Sequence, residues 1–161
     1  MLPARLVALL PHRPNGGTAL LACLPMTTPS FDPLNDLETA LLAAQTGEAT
    51  IDALMERLKD SPVFLLLDRD PGPEDARDDD AQPLLLNNGQ GEPVLAMFSA
   101  PERSISMTLA FPGYAFGVWV EFPMLLGLVA PGVGLVLNPG AVAGFEMPAD
   151  AVVSLRAEVG A

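Results

Sequence analysis

The chain has 161 residues and a formal net charge of -12, from 20 acidic side chains against 8 Lys and Arg, and 50% of its residues are hydrophobic. A domain of this size buries roughly 70% of the surface its unfolded chain exposes, and so apolar a composition excludes a disordered acidic protein. The charge balance disfavours partners that reward clustered Lys and Arg, namely nucleic acid and anionic membrane surfaces.

Met1 to Pro25 carries Arg5 and Arg13 and no acidic residue. Its apolar run from Leu6 to Leu10 is cut by Pro11 and Pro14, so residues 1–25 read as a disordered extension, with Met26 as an alternative start. Leu20-Leu21-Ala22-Cys23 imitates a lipoprotein cleavage site, but Arg13 lies close upstream and the apolar run is short for a signal core. Cys23 and His12 are the only Cys and His of the chain. A single Cys forms no intrachain disulfide, and the expected compartment is the cytoplasm.

Residues 26–161 read as one domain. Asp32-Pro33 reads as an N-cap and first-turn proline, with Leu34, Leu37, Leu41 and Ala44 at helical spacing and Gly47 as the stop. Thr50 caps a second helix that carries Ile51, Leu54, Met55 and Leu58 on one face, and Asp60-Ser61-Pro62 ends it. Val63 to Leu67 is a short buried strand. Residues 68–82 form an acidic loop. Asp68-Arg69-Asp70 imitates the start of a calcium-binding loop, but Gly72 and Pro73 stand at the fifth and sixth positions and Asp79 at the twelfth, so a solvated connection is expected.

Leu84-Leu85-Leu86 and Val94 to Phe98 flank Asn87-Asn88-Gly89-Gln90-Gly91, a hairpin signal. Pro101-Glu102-Arg103 opens a short helical segment. Tyr114 to Glu121 is apolar on both alternating faces and reads as an interior strand. Phe122 to Val129 reads as a short helix with Pro123 in its first turn. Val133 to Leu137 is a buried strand stopped at Asn138-Pro139-Gly140, where Pro139 presets one turn residue and Gly140 supplies the positive φ of a type II turn. Phe145-Glu146-Met147 is a last strand, and Pro148-Ala149-Asp150 opens a final helix. The fold class is α/β in the α+β sense: a small mixed sheet of about five strands, with the N-terminal helices and the short helices packed on it.

Ser104 to Phe145 contains one charged residue, Glu121, yet prolines and glycines interrupt it too often for a membrane-spanning helix. Part of it, around Phe122, Met124, Leu125 and Leu128, is expected to stay exposed as an interaction patch. The alternative for these residues is completion of the core. From Met26 onward the absence of His and Cys removes Cys/His and Ser-His-Asp catalysis and the usual zinc and iron sites. There is no Walker A loop, and Gly132-Val133-Gly134 precedes a strand instead of following one. No catalytic residue, cofactor or metal is expected.

The helix at Asn35-Asp36-Leu37-Glu38, the strand after Asp60-Ser61-Pro62-Val63, Pro93 to Ser99 with Pro101-Glu102 behind it, and Gly132 to Gly140 together resemble the N-terminal domain of the SseB family. The resemblance spans about Asn35 to Leu155. It implies a small bacterial α/β domain without established enzymatic activity, in a family whose name is linked to type III secretion and to a serine-sensitivity phenotype. Longer relatives carry a second, C-terminal domain. The expected function is thus a non-enzymatic protein-interaction domain, its partner another protein or a second copy, with no nucleic acid and no membrane. The alternative is a carboxylate-dependent hydrolase or metal-binding protein using Glu121, Glu146 and the acidic run. Convergence of these carboxylates in one pocket would favour it.

Overall fold

A computed structural model describes residues 31–72 and 80–161; the extension expected over residues 1–25 and the middle of the acidic loop lie outside the described residues. The first helix, α1 (Asp36–Thr46), begins three residues later than Asp32-Pro33 had implied. Its N-cap is Asn35, whose side chain accepts the Glu38 N–H at 2.9 Å. Asn satisfies an orphan amide at the helix start, whereas Pro33 only fixes φ. Helix α2 (Ile51–Lys59) is capped by Thr50, as the sequence implies.

Strand β1 (Pro62–Leu67) is followed by the loop, whose base is closed by Asp68 and Gln82: the Asp68 N–H donates to the Gln82 carbonyl at 3.0 Å, and the Gln82 N–H donates to the Asp68 carboxylate at 2.8 Å. Strands β2 (Leu85–Asn87) and β3 (Pro93–Met97) form the expected hairpin. The glycine that shapes it is Gly91, not Gly89. Gly91 lies at φ 81° and donates to the Asn88 carbonyl at 3.0 Å, while the Asn88 N–H donates to Glu92 at 2.9 Å. This is a three-residue loop with its left-handed residue last, a different solution from the two-residue Asn-Gly turn.

The chain continues through α3 (Pro101–Ala110), β4 (Phe116–Glu121), α4 (Phe122–Leu128), β5 (Gly134–Leu137), β6 (Phe145–Met147) and α5 (Ala149–Val159). The fold is α+β, and the six strands of the described residues divide into two sheets. Four strands order as β2-β3-β5-β6, with β3 and β5 parallel and the other pairs antiparallel. The ribbon β1-β4 is antiparallel and joins the larger sheet through single bridges at Phe64–Phe98 and Leu67–Pro83. The expectation of an interior strand at Tyr114 to Glu121 is corrected: among the described residues β4 pairs only with β1 and is an edge strand, with Phe116 and Trp119 exposed. Its two-sided apolar pattern reflects one face on the core, through Val118 and Val120, and one face left partly uncovered.

The main core lies between α1, α2, α4 and α5 and one sheet face, where Leu95 and Met97, Leu135 and Leu137, and Phe145 and Met147 alternate inward along three strands. Each such side chain contributes roughly 1.5–3 kcal/mol on full burial. A smaller cluster of Leu66, Leu84, Ala96 and Phe98 fills the opposite face, under Met107 of α3 and Tyr114.

Candidate functional site

Parallel β3 and β5 end side by side, Met97 opposite Leu137. In open α/β sheets, ligands are typically held just beyond such carboxyl ends. Here the space is filled by the chain itself. Ser99 follows β3, Asn138 follows β5, Glu38 enters from α1 and Arg103 from the first turn of α3. Glu38 is fully buried, and Ser99 and Asn138 are buried beside it.

The geometry is reciprocal. The Arg103 guanidinium grips the Glu38 carboxylate with two hydrogen bonds, Nε to Oε1 at 2.8 Å and Nη2 to Oε2 at 2.7 Å. The Ser99 hydroxyl donates to Glu38 Oε1 and accepts from Asn138 Nδ2 at 2.8 Å. Asn138 Oδ1 accepts the Ser99 N–H at 2.9 Å, and the Asn138 N–H donates to the Met97 carbonyl at 2.8 Å. Asn35 Nδ2 reaches the Ser99 carbonyl at 2.8 Å, and the Leu34 N–H donates to Glu38 Oε2 at 2.7 Å. Arg103 also donates to the Asp32 carbonyl at 2.7 Å and stacks on Phe31, 4.2 Å from the ring centroid.

Burial alone would push the Glu38 carboxyl up. The hydrogen bonds from Arg103, Ser99 and the Leu34 N–H, together with the Arg103 charge, outweigh it and hold the pKa below the ordinary carboxylate value. Glu38 in turn raises the pKa of Arg103. Among the described residues no buried side-chain nitrogen or oxygen lacks a partner. The Ser99–Glu38 contact places a hydroxyl beside a carboxylate, but the hydroxyl is 2% exposed and the carboxylate is already neutralised. Such an arrangement ties four segments together. It presents no nucleophile to solvent.

The Asn138-Pro139-Gly140 turn is present. The Ala141 N–H donates to the Asn138 carbonyl at 3.1 Å and Gly140 lies at φ 79°. Asn138 itself is left-handed, at φ 51°, a conformation that Asn tolerates better than most side chains. Its role is larger than a turn residue's, because its side chain bridges the two parallel strand ends. Glu38 and Arg103 were not singled out by chemistry. The available signal was Asn35-x-x-Glu38, a capping pattern at a helix start.

The four expected patch residues are divided by the α4 helix. Phe122 and Leu125 are core, at 0% and 2% exposure, and the expectation that they stay exposed is corrected. Helical spacing sends Phe122, Leu125 and Leu126 inward together and leaves Met124 and Leu128 outside, at 54% and 71%. Within the same weakly charged segment, Ile105 and Leu109 on α3, Phe111 after it, and Phe116 and Trp119 on β4 are also exposed. Ser104 to Val120 has no charged residue at all.

Glu121 and Glu146, two of the carboxylates of the alternative reading, do not converge: Glu121 is exposed at the end of β4 in the smaller sheet, while Glu146 on β6 of the larger sheet accepts from Asn88 Nδ2 at 2.9 Å. Residues 73–79 of the acidic run lie outside the described residues. Among those described, no group of three or more His, Cys, Asp or Glu is arranged to hold a metal ion. Lys59, the only lysine, donates to Glu56 at 2.8 Å, and this bond raises its pKa, away from that of a free amine nucleophile. Among the described residues no helix is long and apolar enough to cross a membrane.

No curated protein and no solved structure matches the chain. Residues 37–154 match the SseB protein N-terminal domain, a span that holds Glu38, Ser99, Arg103 and Asn138 and most of the sheet. The chain therefore belongs to the SseB family, by its N-terminal domain.

Proposed function

We propose that this chain is a non-enzymatic protein-interaction domain of the cytoplasm, and that the uncharged segment from α3 to β4 is its contact surface. One observation carries the reading. In a chain of net charge -12, the segment Ser104 to Val120 has no charge and leaves Ile105, Leu109, Phe111, Phe116 and Trp119 exposed. Monomeric soluble proteins rarely leave such a concentration of apolar side chains in water without a partner to cover it. The closed hydrogen bonding of Glu38, Ser99, Arg103 and Asn138 supports a scaffold role for that buried group and leaves the exposed surface to carry function. The link to secretion or stress that the family resemblance implies fits a domain that works by contact. The carboxylate-dependent alternative has less support, because Glu121 and Glu146 stand on different sheets.

A photo-crosslinking residue placed at Leu109 tests this in the native cell, with Val153 on α5 as the control, exposed at 57%. Specific crosslinks to protein at residue 109 and none at 153 are expected. Equal, diffuse crosslinking at both sites would overturn the reading.

A further inference from the structure

Among the described residues the β1-β4 ribbon leaves one backbone edge open. Phe64 exchanges both of its backbone hydrogen bonds with Phe98, each at 2.8 Å, so its N–H and C=O point away from β4. Trp119 lies opposite Phe64 and so occupies a non-hydrogen-bonded position of the β1-β4 pair, with its own N–H and C=O on the outer side. Gly117, two residues earlier, does the same, while Phe116, Val118 and Val120 face β1.

This edge has none of the features that usually keep a strand unpaired. It carries no lysine, no proline and no charge before Glu121. Phe116 and Trp119, on opposite faces by strand alternation, flank it at 43% and 47% exposure. On the Trp119 side, the Phe64 ring lies where a Gly117 side chain would stand, since a Cβ there would meet it at 2.0 Å. The Phe64 and Trp119 rings contact edge to face, with centroids 5.4 Å apart. That face of the strand beside the edge is therefore aromatic and preformed.

We infer that β4 is the edge along which two copies of this chain pair, antiparallel about Val118, so that the outward groups of Gly117 in each copy meet those of Trp119 in the other. The inference rests on the reading of α3 and β4 as a contact surface and names its occupant. The self-complementary register suits a second copy, and although two chains of net charge -12 repel over a screening length of about 8 Å, an uncharged segment is where their backbones approach at least cost. The pairing sets Glu121 against Ala115, not against its own counterpart.

Sedimentation equilibrium of the full chain tests the proposal. A monomer–dimer equilibrium is expected. Trp119→Lys should raise its dissociation constant about tenfold or more, because an edge lysine opposes strand addition. Met124→Lys, equally exposed but on α4, should leave it unchanged. A chain that stays monomeric at every concentration overturns the inference, and so does a dimer weakened by Met124→Lys and not by Trp119→Lys. Should Trp119→Lys fail to fold, amide exchange on the unaltered chain decides: protection of the Gly117 and Trp119 N–H groups should rise with protein concentration, and constant protection overturns the pairing. A strictly monomeric chain that still crosslinks another protein through residue 109 would remove self-pairing and leave the interaction reading standing.

Discussion

Two regions built from neighbouring stretches of chain have opposite fates. At the ends of β3 and β5, every polar group of Glu38, Ser99 and Asn138 is turned inward and answered, in a place where many α/β proteins hold a ligand. A few residues later, from Ile105 to Trp119, apolar side chains are turned outward and the strand edge beyond them has no partner among the described residues. The closed region ties four segments of the fold together, and the proposed contact with partners falls to the open one. Polarity alone would have reversed these assignments.

The contrast breaks most sharply at Arg103. Arg103→Met leaves the Glu38 carboxylate buried without its counter-charge and is expected to destabilise by about 3–5 kcal/mol, read by chemical denaturation. A loss near zero would mean that Glu38 reaches water and that the region is not closed. Gly140→Val comes next, at about 1–3 kcal/mol, because a branched side chain is strained at φ 79° and its Cβ would meet Met107 at 3.2 Å.

Acid titration sharpens the comparison. The folded-state pKa of Glu38 lies below its unfolded value, so its contribution is complete above the ordinary carboxylate range and is lost as pH falls through the lowered value. Asp68, lowered first by the Gln82 N–H, loses stability in the same direction. Thermal melting should therefore show Glu38→Gln less stable than the unaltered chain near neutral pH but less sensitive to acid below about pH 4, with the Asp68 share common to both. The smallest effect belongs to the open region: Leu109→Lys, at a position 78% exposed, should stay within about 0.5 kcal/mol of the unaltered chain by denaturation. A larger loss would place Leu109 in the fold and not on a contact surface.

What was legible in the sequence follows the range of the forces involved. The caps at Thr50 and Gly47, the proline that opens α4, the hairpin before β3 and the turn at Asn138-Pro139-Gly140 are local devices, and their chemistry is visible within a few residues. The division into two sheets was not visible, because it depends on β1 meeting only single residues, Phe98 and Pro83, that lie just beyond β3 and β2. Of the four residues expected to stay exposed, Met124 and Leu128 do and Phe122 and Leu125 do not. Phe122 and Leu125 versus Met124 and Leu128 is a question of helix phase relative to a core, and a helix as short as α4 carries too few turns to reveal that phase. The Glu38–Arg103 pair joins residues 65 apart, and no local pattern records such a meeting.

That separation has a kinetic consequence. Ser99 meets Asn138 across 39 residues and Glu38 across 61, and Arg103 meets Glu38 across 65. Contacts that close such long loops bear their entropy cost before they return any energy, so the group is expected to assemble late, once β3 and β5 are already in register. Until then a carboxylate entering the interior has no counter-ion, which penalises any compact chain with the parallel pair misaligned. The bond network thus acts as a latch that checks topology at the end of folding, and its removal should accelerate unfolding far more than it slows refolding.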